Sequence, residues 1–360
     1  MSSDFPTPVV GVDDIFPSPV DPNELQTVID RLLAARRLVL TTHVNADGDG
    51  AGSQVAVAAW LEARGAHVDI INPTPFPPEF RFLLHRPDLP IELDTPEAEA
   101  AFNSADLFVV LDTSEAKRIG RLRDRFREDR IVVVDHHPAA DREIGDTVLR
   151  STASAATGEI VHDIIAATDG PWEPSVVQAL YVALVTDTGS FRYSNTTPRT
   201  HLVAANLLQR GVDPEDMYRK LYANVPLRQL RLLREALGSV EIDEERSMAW
   251  MVVDNAMTKA AGATPDDYEG LIEHVRSLEG TEVAFLFRET PEGRTKISFR
   301  SNGTADVSRL ARSFGGGGHV KAAGALLNAS PSSAVRKVLG AAREMFGTGA
   351  PGTGHRAPGS

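Results

Sequence analysis

The chain contains no cysteine. That excludes a disulfide framework, thiolate zinc sites and a cysteine nucleophile together, and it fits a reducing compartment. Long apolar runs are missing as well. None approaches the roughly 18 residues needed to cross a bilayer, so no membrane partner is expected. No Lys or Arg precedes Arg31, so the start lacks the basic segment of a secretory signal, and the expected location is cytoplasmic. Basic residues are in deficit overall: 37 Lys and Arg stand against 50 Asp and Glu, a formal net charge of −13. A protein that grips long nucleic acid through its phosphates usually shows the opposite balance. Long duplex DNA is therefore not expected as a partner. An anionic substrate remains compatible, because bound metal ions can invert the local field. The balance favours a small substrate in a pocket.

What is present is an ordinary globular composition, 42% hydrophobic and 24% charged over 360 residues, long enough for two domains with separate cores. Residues 1–20 are rich in Pro and acids without periodicity and read as a flexible arm. In DPNELQTVIDRLLAA, Asp21 is placed to cap and Pro22 to open a helix, and Leu25, Val28, Ile29, Leu32 and Leu33 form one apolar stripe. RLVLTT, HVDIIN, DLFVVLD and RIVVVD are short apolar strands separated by helical stretches such as SQVAVAAWLEARG. Continuous apolar strands alternating with helices predict a parallel sheet with helices on both faces. TGEIVHDIIAA, PSVVQALYVALV and TPRTHLVAANLLQRG read as further helices. From residue 241 the texture changes to strands meeting at turns such as PEGR. That predicts a smaller α+β domain with a largely antiparallel sheet. The expected division is an arm over 1–20, a first domain over 21–225, a linking helix over 226–240, a second domain over 241–347 and a disordered tail over 348–360.

The chemistry collects at strand ends. THVNADGDGAGS places His43, Asp47 and Asp49 on one loop, DLFVVLDT ends at Asp112, and RIVVVDHHP ends at Asp135, His136 and His137. Asp187 follows an apolar helix in ALVTDTGSF. In an open parallel sheet the carboxyl ends of the strands share one edge, where ligands bind. A single acid after a strand is usually a turn former; the repetition points elsewhere. Carboxylates buried together would be forced toward protonation unless cations join them. His and Asp donors without Cys suit manganese, and less decisively iron, cobalt or zinc.

HVNADGDG, the strand end at Asp112, DHH and TDTG, in that order, resemble the four motifs of the DHH phosphoesterase superfamily. RSNGTADVSRLARSFGGGGHVKAAGA resembles the glycine-rich signature of the DHHA1 domain. Together they are similar to the branch that combines oligoribonuclease and pAp phosphatase activity, across about residues 24–346. The resemblance implies two divalent ions, Mn²⁺ foremost with Mg²⁺ or Co²⁺ as alternatives. His43 and Asp47 would hold one ion, Asp49, His136 and Asp187 the other, and Asp112 would bridge. Asp135 would orient His136, and His137 would act at the scissile phosphate. Gly316, Gly317, Gly318, His319 and Arg300 would bind the nucleotide, with Arg118 a weaker candidate. One family position differs: Ala46 stands where proline is common.

The implied function is hydrolysis of short oligoribonucleotides to mononucleotides and of 3′-phosphoadenosine 5′-phosphate (pAp) to AMP. The first domain would hold the metals and the second would present the substrate, in a chain that resembles homodimeric proteins. Within the same chemistry the alternative is a phosphodiesterase of cyclic di-AMP or linear dinucleotides. Outside it stand a nucleotide-binding regulator or an RNA-binding module.

Overall fold

The computed structural model describes residues 12–139, 142–145, 147–318 and 320–346. The chain divides into two compact units, Met1–Asn224 and Val225–Ser360.

In the first unit, α1 (Val12–Ile15) and α2 (Pro22–Ala34) precede β1 (Arg37–Thr41), α3 (Gly48–Glu62), β2 (His67–Ile70), α4 (Pro96–Ser104), β3 (Leu107–Leu111), β4 (Ile131–Asp135) and β5 (Thr147–Arg150). Then follow α5 (Thr157–Ala167), α6 (Pro174–Asp187), α7 (Pro198–Gln209) and α8 (Pro214–Tyr222). The five strands lie in the order β2-β1-β3-β4-β5, and every pairing is parallel. Alternation along each strand sorts the side chains into two cores. Leu38, Leu40, Val109, Leu111, Val132 and Val134 join one with α3, α5 and α6. Val39, Phe108, Val110, Ile131 and Val133 join the other with α4 and Phe126. Burial on both faces explains why the strands are apolar throughout.

Three expectations are corrected here. The helix expected to begin at Ser53 begins at Gly48, because Asp47 accepts the N–H groups of Asp49 and Gly50 and caps it. Its glycines supply space rather than unusual torsions: a β-carbon at Gly52 would stand 2.5 Å from the carbonyl oxygen of Ala179 on α6, and one at Gly50 2.6 Å from Thr42 Oγ1. The expected arm is in part packed structure, since Val12 and Val20 are buried in the first core, while residues 1–11 lie outside the described ones. The edge strand β5 was not expected at all; TVLR is too short to show a period.

The second unit contains α9 (Leu227–Leu237), β6 (Glu241–Asp243), β7 (Met248–Val253), α10 (Asn255–Ala261), α11 (Leu271–Arg276), β8 (Val283–Glu289), β9 (Thr295–Ser301), α12 (Val307–Ser313), β10 (Gly317–Gly318), β11 (Ala322–Leu327) and α13 (Pro331–Phe346). Its sheet runs β10-β11-β9-β8-β7-β6; β7 and β8 pair in parallel and the remaining pairs are antiparallel. Trp250, Phe285, Phe287 and Phe299 face α12 and α13, and Met251, Val253, Ala284 and Leu286 face the other core. The stretch expected as a linking helix belongs to this unit, with Leu232 and Ala236 buried in that other core. The tail 348–360 lies outside the described residues.

Candidate metal centre

The parallel sheet delivers its strand ends to one edge, and three groups of His and Asp side chains converge there. They are His43, Asp47 and Asp112; Asp49, His136 and Asp187; and Asp112, His136 and His137. In each group the donor atoms lie within 4.8 Å of one another. Asp112 belongs to the first and third groups and stands between the two imidazoles. Its Oδ2 is 3.3 Å from His43 Nε2, and its Oδ1 is 3.6 Å from His136 Nε2. On the far sides, His43 Nε2 is 3.6 Å from Asp47 Oδ2, and His136 Nε2 is 3.8 Å from Asp49 and 3.7 Å from Asp187.

None of these contacts has hydrogen-bonding geometry, and the buried Nε2 atoms of His43 and His136 have no hydrogen-bond partner. Such orphans normally signal a missing partner. Each ring is already fixed on its other side. His43 Nδ1 lies 3.0 Å from the carbonyl of Val44, and His136 Nδ1 lies 3.4 Å from that of Ser154. With Nδ1–H aimed at a carbonyl, the neutral ring presents its Nε2 lone pair to the cluster, the form a metal takes. The donors therefore fit a pair of divalent cations.

Each acid is placed by a local device. Asp47 gives Oδ1 to the N–H groups of Asp49 and Gly50, at 3.1 Å each, and so keeps Oδ2 for the cluster. Asp49, in the first turn of α3, is buried and accepts N–H groups of Thr157 and Gly158 at 2.6 and 2.9 Å. Asp112 leaves β3 with a φ of 63°, a left-handed conformation uncommon outside glycine and often found at functional positions. Asn195 holds Asp187, donating to its Oδ2 at 3.2 Å.

The electrostatics reflect charges of one sign gathered around two imidazoles. Burial opposes charge on His43, but the carboxylates of Asp112 and Asp47 outweigh it and push the pKa up to about 10. Burial raises Asp49 well above the usual carboxylate range, and the charges of Asp112 and Asp187 raise it further. Burial pushes Asp187 up to about 6, with His136 pulling the other way. Asp47 is the exposed member of the cluster, and the His43 imidazole beside it holds its carboxyl below the usual carboxylate range.

One expected role changes partner. Asp135 does not orient His136. Its Oδ1 accepts both the backbone N–H of His137, at 3.1 Å, and His137 Nδ1, at 2.9 Å. His137 therefore has the carboxylate support, and that contact raises its pKa. Arg118 lies near enough for its charge to act on Asp47 and His137, and its carbonyl accepts the N–H of Val44 at 2.7 Å. Thr157 and Asn195, which hold three of the acids, were not singled out from sequence; a Thr at a helix start or an Asn in a loop carries no periodic signal.

The nucleotide-binding candidates lie in the second unit. Gly317 and Gly318 form β10, paired with Gly324 and Ala323 of β11. They are strand residues. Gly318 has a φ of 139°, and a β-carbon there would stand 2.6 Å from the carbonyl oxygen of Ala322. A β-carbon at Gly316 would overlap the backbone of Gly324 and Ala325. Arg300 lies opposite Ala322 in the neighbouring strand, with Nε 3.7 Å from Glu273. His319 lies outside the described residues.

Fold and site together define a class: a parallel α/β unit whose strand ends carry a buried His–carboxylate centre suited to divalent cations, followed by a second α/β unit. Residues 37–184 match the DHH family, N-terminal domain, and residues 251–348 match the DHHA1 domain. The chain is 32% identical over 310 residues to the bifunctional oligoribonuclease and PAP phosphatase NrnA of Thermus thermophilus, across 85% of this chain and 89% of that one. It is 25% identical over 291 residues to the protein of the same name from Bacillus subtilis, across 80% and 88%. An exopolyphosphatase-related protein from Bacteroides fragilis has a similar solved structure, with a TM-score of 0.83 at 25% identity over 90% of this chain and 96% of that one. The chain belongs to the DHH/DHHA1 phosphoesterase family.

Proposed function

We propose that the chain is a two-cation phosphoesterase that hydrolyses short oligoribonucleotides to mononucleotides and pAp to AMP. The observation that carries this reading is Asp112 standing between two buried, partnerless imidazole nitrogens, with one of its oxygens toward each. His43 and Asp47 would hold one ion, and Asp49, His136 and Asp187 the other, with Asp112 shared. This donor set suits Mn²⁺ best, with Mg²⁺ or Co²⁺ as alternatives. Ions held there would lower the pKa of a water molecule and polarise a phosphoryl group.

The chain's own residues supply the rest. His137, anchored through Nδ1 on Asp135, keeps Nε2 free to donate to a phosphate oxygen and steady the charge that builds there. Arg118 adds a positive charge beside it. Gly316, Gly317, Gly318 and Arg300, with His319, would hold the nucleotide away from the reacting bond. The relatives from T. thermophilus and B. subtilis support both activities by their names.

The test is a panel. Purified protein is incubated with Mn²⁺ and, separately, pAp, a dinucleotide, a 24-mer RNA and cyclic di-AMP, and the products are resolved by chromatography. AMP from pAp and mononucleotides from the dinucleotide are expected, with the 24-mer cut more slowly. Substrates left intact throughout would defeat the reading.

A further inference from the structure

Behind the His–Asp cluster lies a second set of buried polar groups outside the ligand set. Thr157 opens α5. Its N–H donates to Asp49 Oδ2 at 2.6 Å, and its hydroxyl donates to Asp112 Oδ1 at 3.1 Å. The N–H of Gly158 and the hydroxyl of Ser53 reach Asp49 Oδ1 at 2.9 and 3.1 Å. Ala156, the residue before the helix, has no side-chain cap to offer. Asp49 fills that place from another helix, and the free N–H groups and dipole of α5 stabilise its charge.

What keeps Thr157 in place is buried too. Glu159 is fully enclosed. Its Oε2 accepts the N–H of Ala155 at 3.1 Å and the hydroxyl of Thr200 at 3.3 Å, and its Oε1 takes Arg199 Nη1 at 3.2 Å. Arg199 Nη2 continues to Asp163 Oδ1 at 2.7 Å. Buried ion pairs seldom stabilise a fold more than well-packed apolar side chains would, so stability alone does not account for these groups. On the other side, Asn195 Nδ2 links the carbonyl of Ala155, at 2.9 Å, to Asp187 Oδ2, at 3.2 Å. Residues 155–158 thus meet Asp49 and Asp112 directly and Asp187 through Asn195.

We propose that Thr157 is a positioning residue that sets one of the two cation sites, the one formed by Asp49, His136 and Asp187 with Asp112. The inference rests on the two-cation reading above. The hydroxyl engages Asp112 Oδ1, the oxygen that faces His136, and leaves Oδ2, which faces His43, untouched. It fixes the rotation of the carboxylate and directs the remaining lone pair of Oδ1 toward the cluster. Its loss weakens one cation site more than the other.

Thr157→Val keeps the shape of the side chain and the backbone N–H and removes the hydroxyl. The full-length protein, stripped with EDTA, is titrated with Mn²⁺ in a calorimeter, where the wild type binds in two steps. In Thr157→Val one step weakens about ten- to a hundredfold, the scale for losing an outer hydrogen-bond partner of a metal ligand, while the other moves by less than about threefold. Thr157→Ser, which restores the hydroxyl, restores the lost step. A Thr157→Val isotherm that matches wild type, or equal weakening of both steps, overturns the proposal. If Thr157→Val does not fold, as judged by near-ultraviolet circular dichroism, Thr157→Ala is titrated in its place, and the same two results support or overturn the proposal. A wild type that lacks two binding steps overturns the two-cation reading together with this inference, so the two failures are distinguishable.

Discussion

Filling the centre with divalent cations at pH 7.5 must expel protons. His43 sits with Nε2 at 3.3 Å from Asp112 and 3.6 Å from Asp47. Burial disfavours its charge, yet the carboxylates push its pKa up to about 10. In the cation-free protein at pH 7.5 it is therefore almost wholly imidazolium, and a metal ligand must be neutral. The sign follows from linkage. The stability that His43 lends the cation-free fold is present below its ordinary value of 6.5 and is lost as the pH rises through about 10. Asp187, raised from 3.8 to about 6, contributes in the same direction but loses its part as the pH rises through about 6. Cation affinity runs the opposite way and rises about tenfold per pH unit for each proton released. Between pH 7 and 9 a slope of about one or more is expected, from His43 and from Asp49 so far as it is still protonated, and a steeper one between pH 5 and 6, where Asp187 adds to it. Calorimetric titrations with Mn²⁺ in two buffers of unequal ionisation enthalpy count the protons directly. Release of about one or more at pH 7.5 is expected. No release, with affinity flat from pH 7 to 9, would refute the placing of a protonated His43 between two carboxylates.

Further outcomes follow from single contacts. Asp112→Ala removes the carboxylate between the two imidazoles and should abolish turnover on every substrate, whereas His67→Ala, at an ion pair with Asp69 outside the centre, should leave rates near wild type; steady-state kinetics at saturating Mn²⁺ decide it. Gly158→Ala would place a β-carbon 2.5 Å from that of Ala183, an overpacking expected to cost about 1–3 kcal/mol in a chemical denaturation curve. His319→Ala should lower kcat/KM for pAp by roughly one to two orders of magnitude, the worth of one charge-assisted contact of about 1.5–3 kcal/mol. Hydrolysis of bis-p-nitrophenyl phosphate, which has no nucleotide to hold, should change little.

The fold was legible where the chain obeys a simple period. RLVLT, LFVVL and IVVVD are apolar without a break because both faces of their strands are covered, and a parallel sheet then brings their ends to one edge. That shared edge alone gathers His43, Asp112 and His136 from positions far apart in the chain. Periodicity is silent wherever a side chain's direction depends on a tertiary contact. Asp135 and His136 are neighbours in sequence, but Asp135 ends β4 buried and turned toward His137. The glycines at 48, 50 and 52 read as a turn because their helix needs them for close approach to α6 and Thr42, and such needs leave no periodic trace. Nor does TGE announce that Thr157 reaches Asp49 and Asp112. His162 is buried beside Asp163, with its ring near Trp172, a placement no period announces. The glycine run at 315–318 carries no period, yet Gly317 and Gly318 pair with β11, which leaves no room for a β-carbon at Gly316 or Gly318.

In the proposed mechanism Asp112 joins two cation sites that act together on a phosphoester. The direct measurement is a titration of EDTA-stripped protein with Mn²⁺ at fixed pAp, with AMP formation and bound metal followed in the same samples. Turnover should stay negligible up to the first equivalent per chain and appear as the second binds. Full turnover in the stripped protein, or after a single equivalent, would contradict a shared two-cation centre.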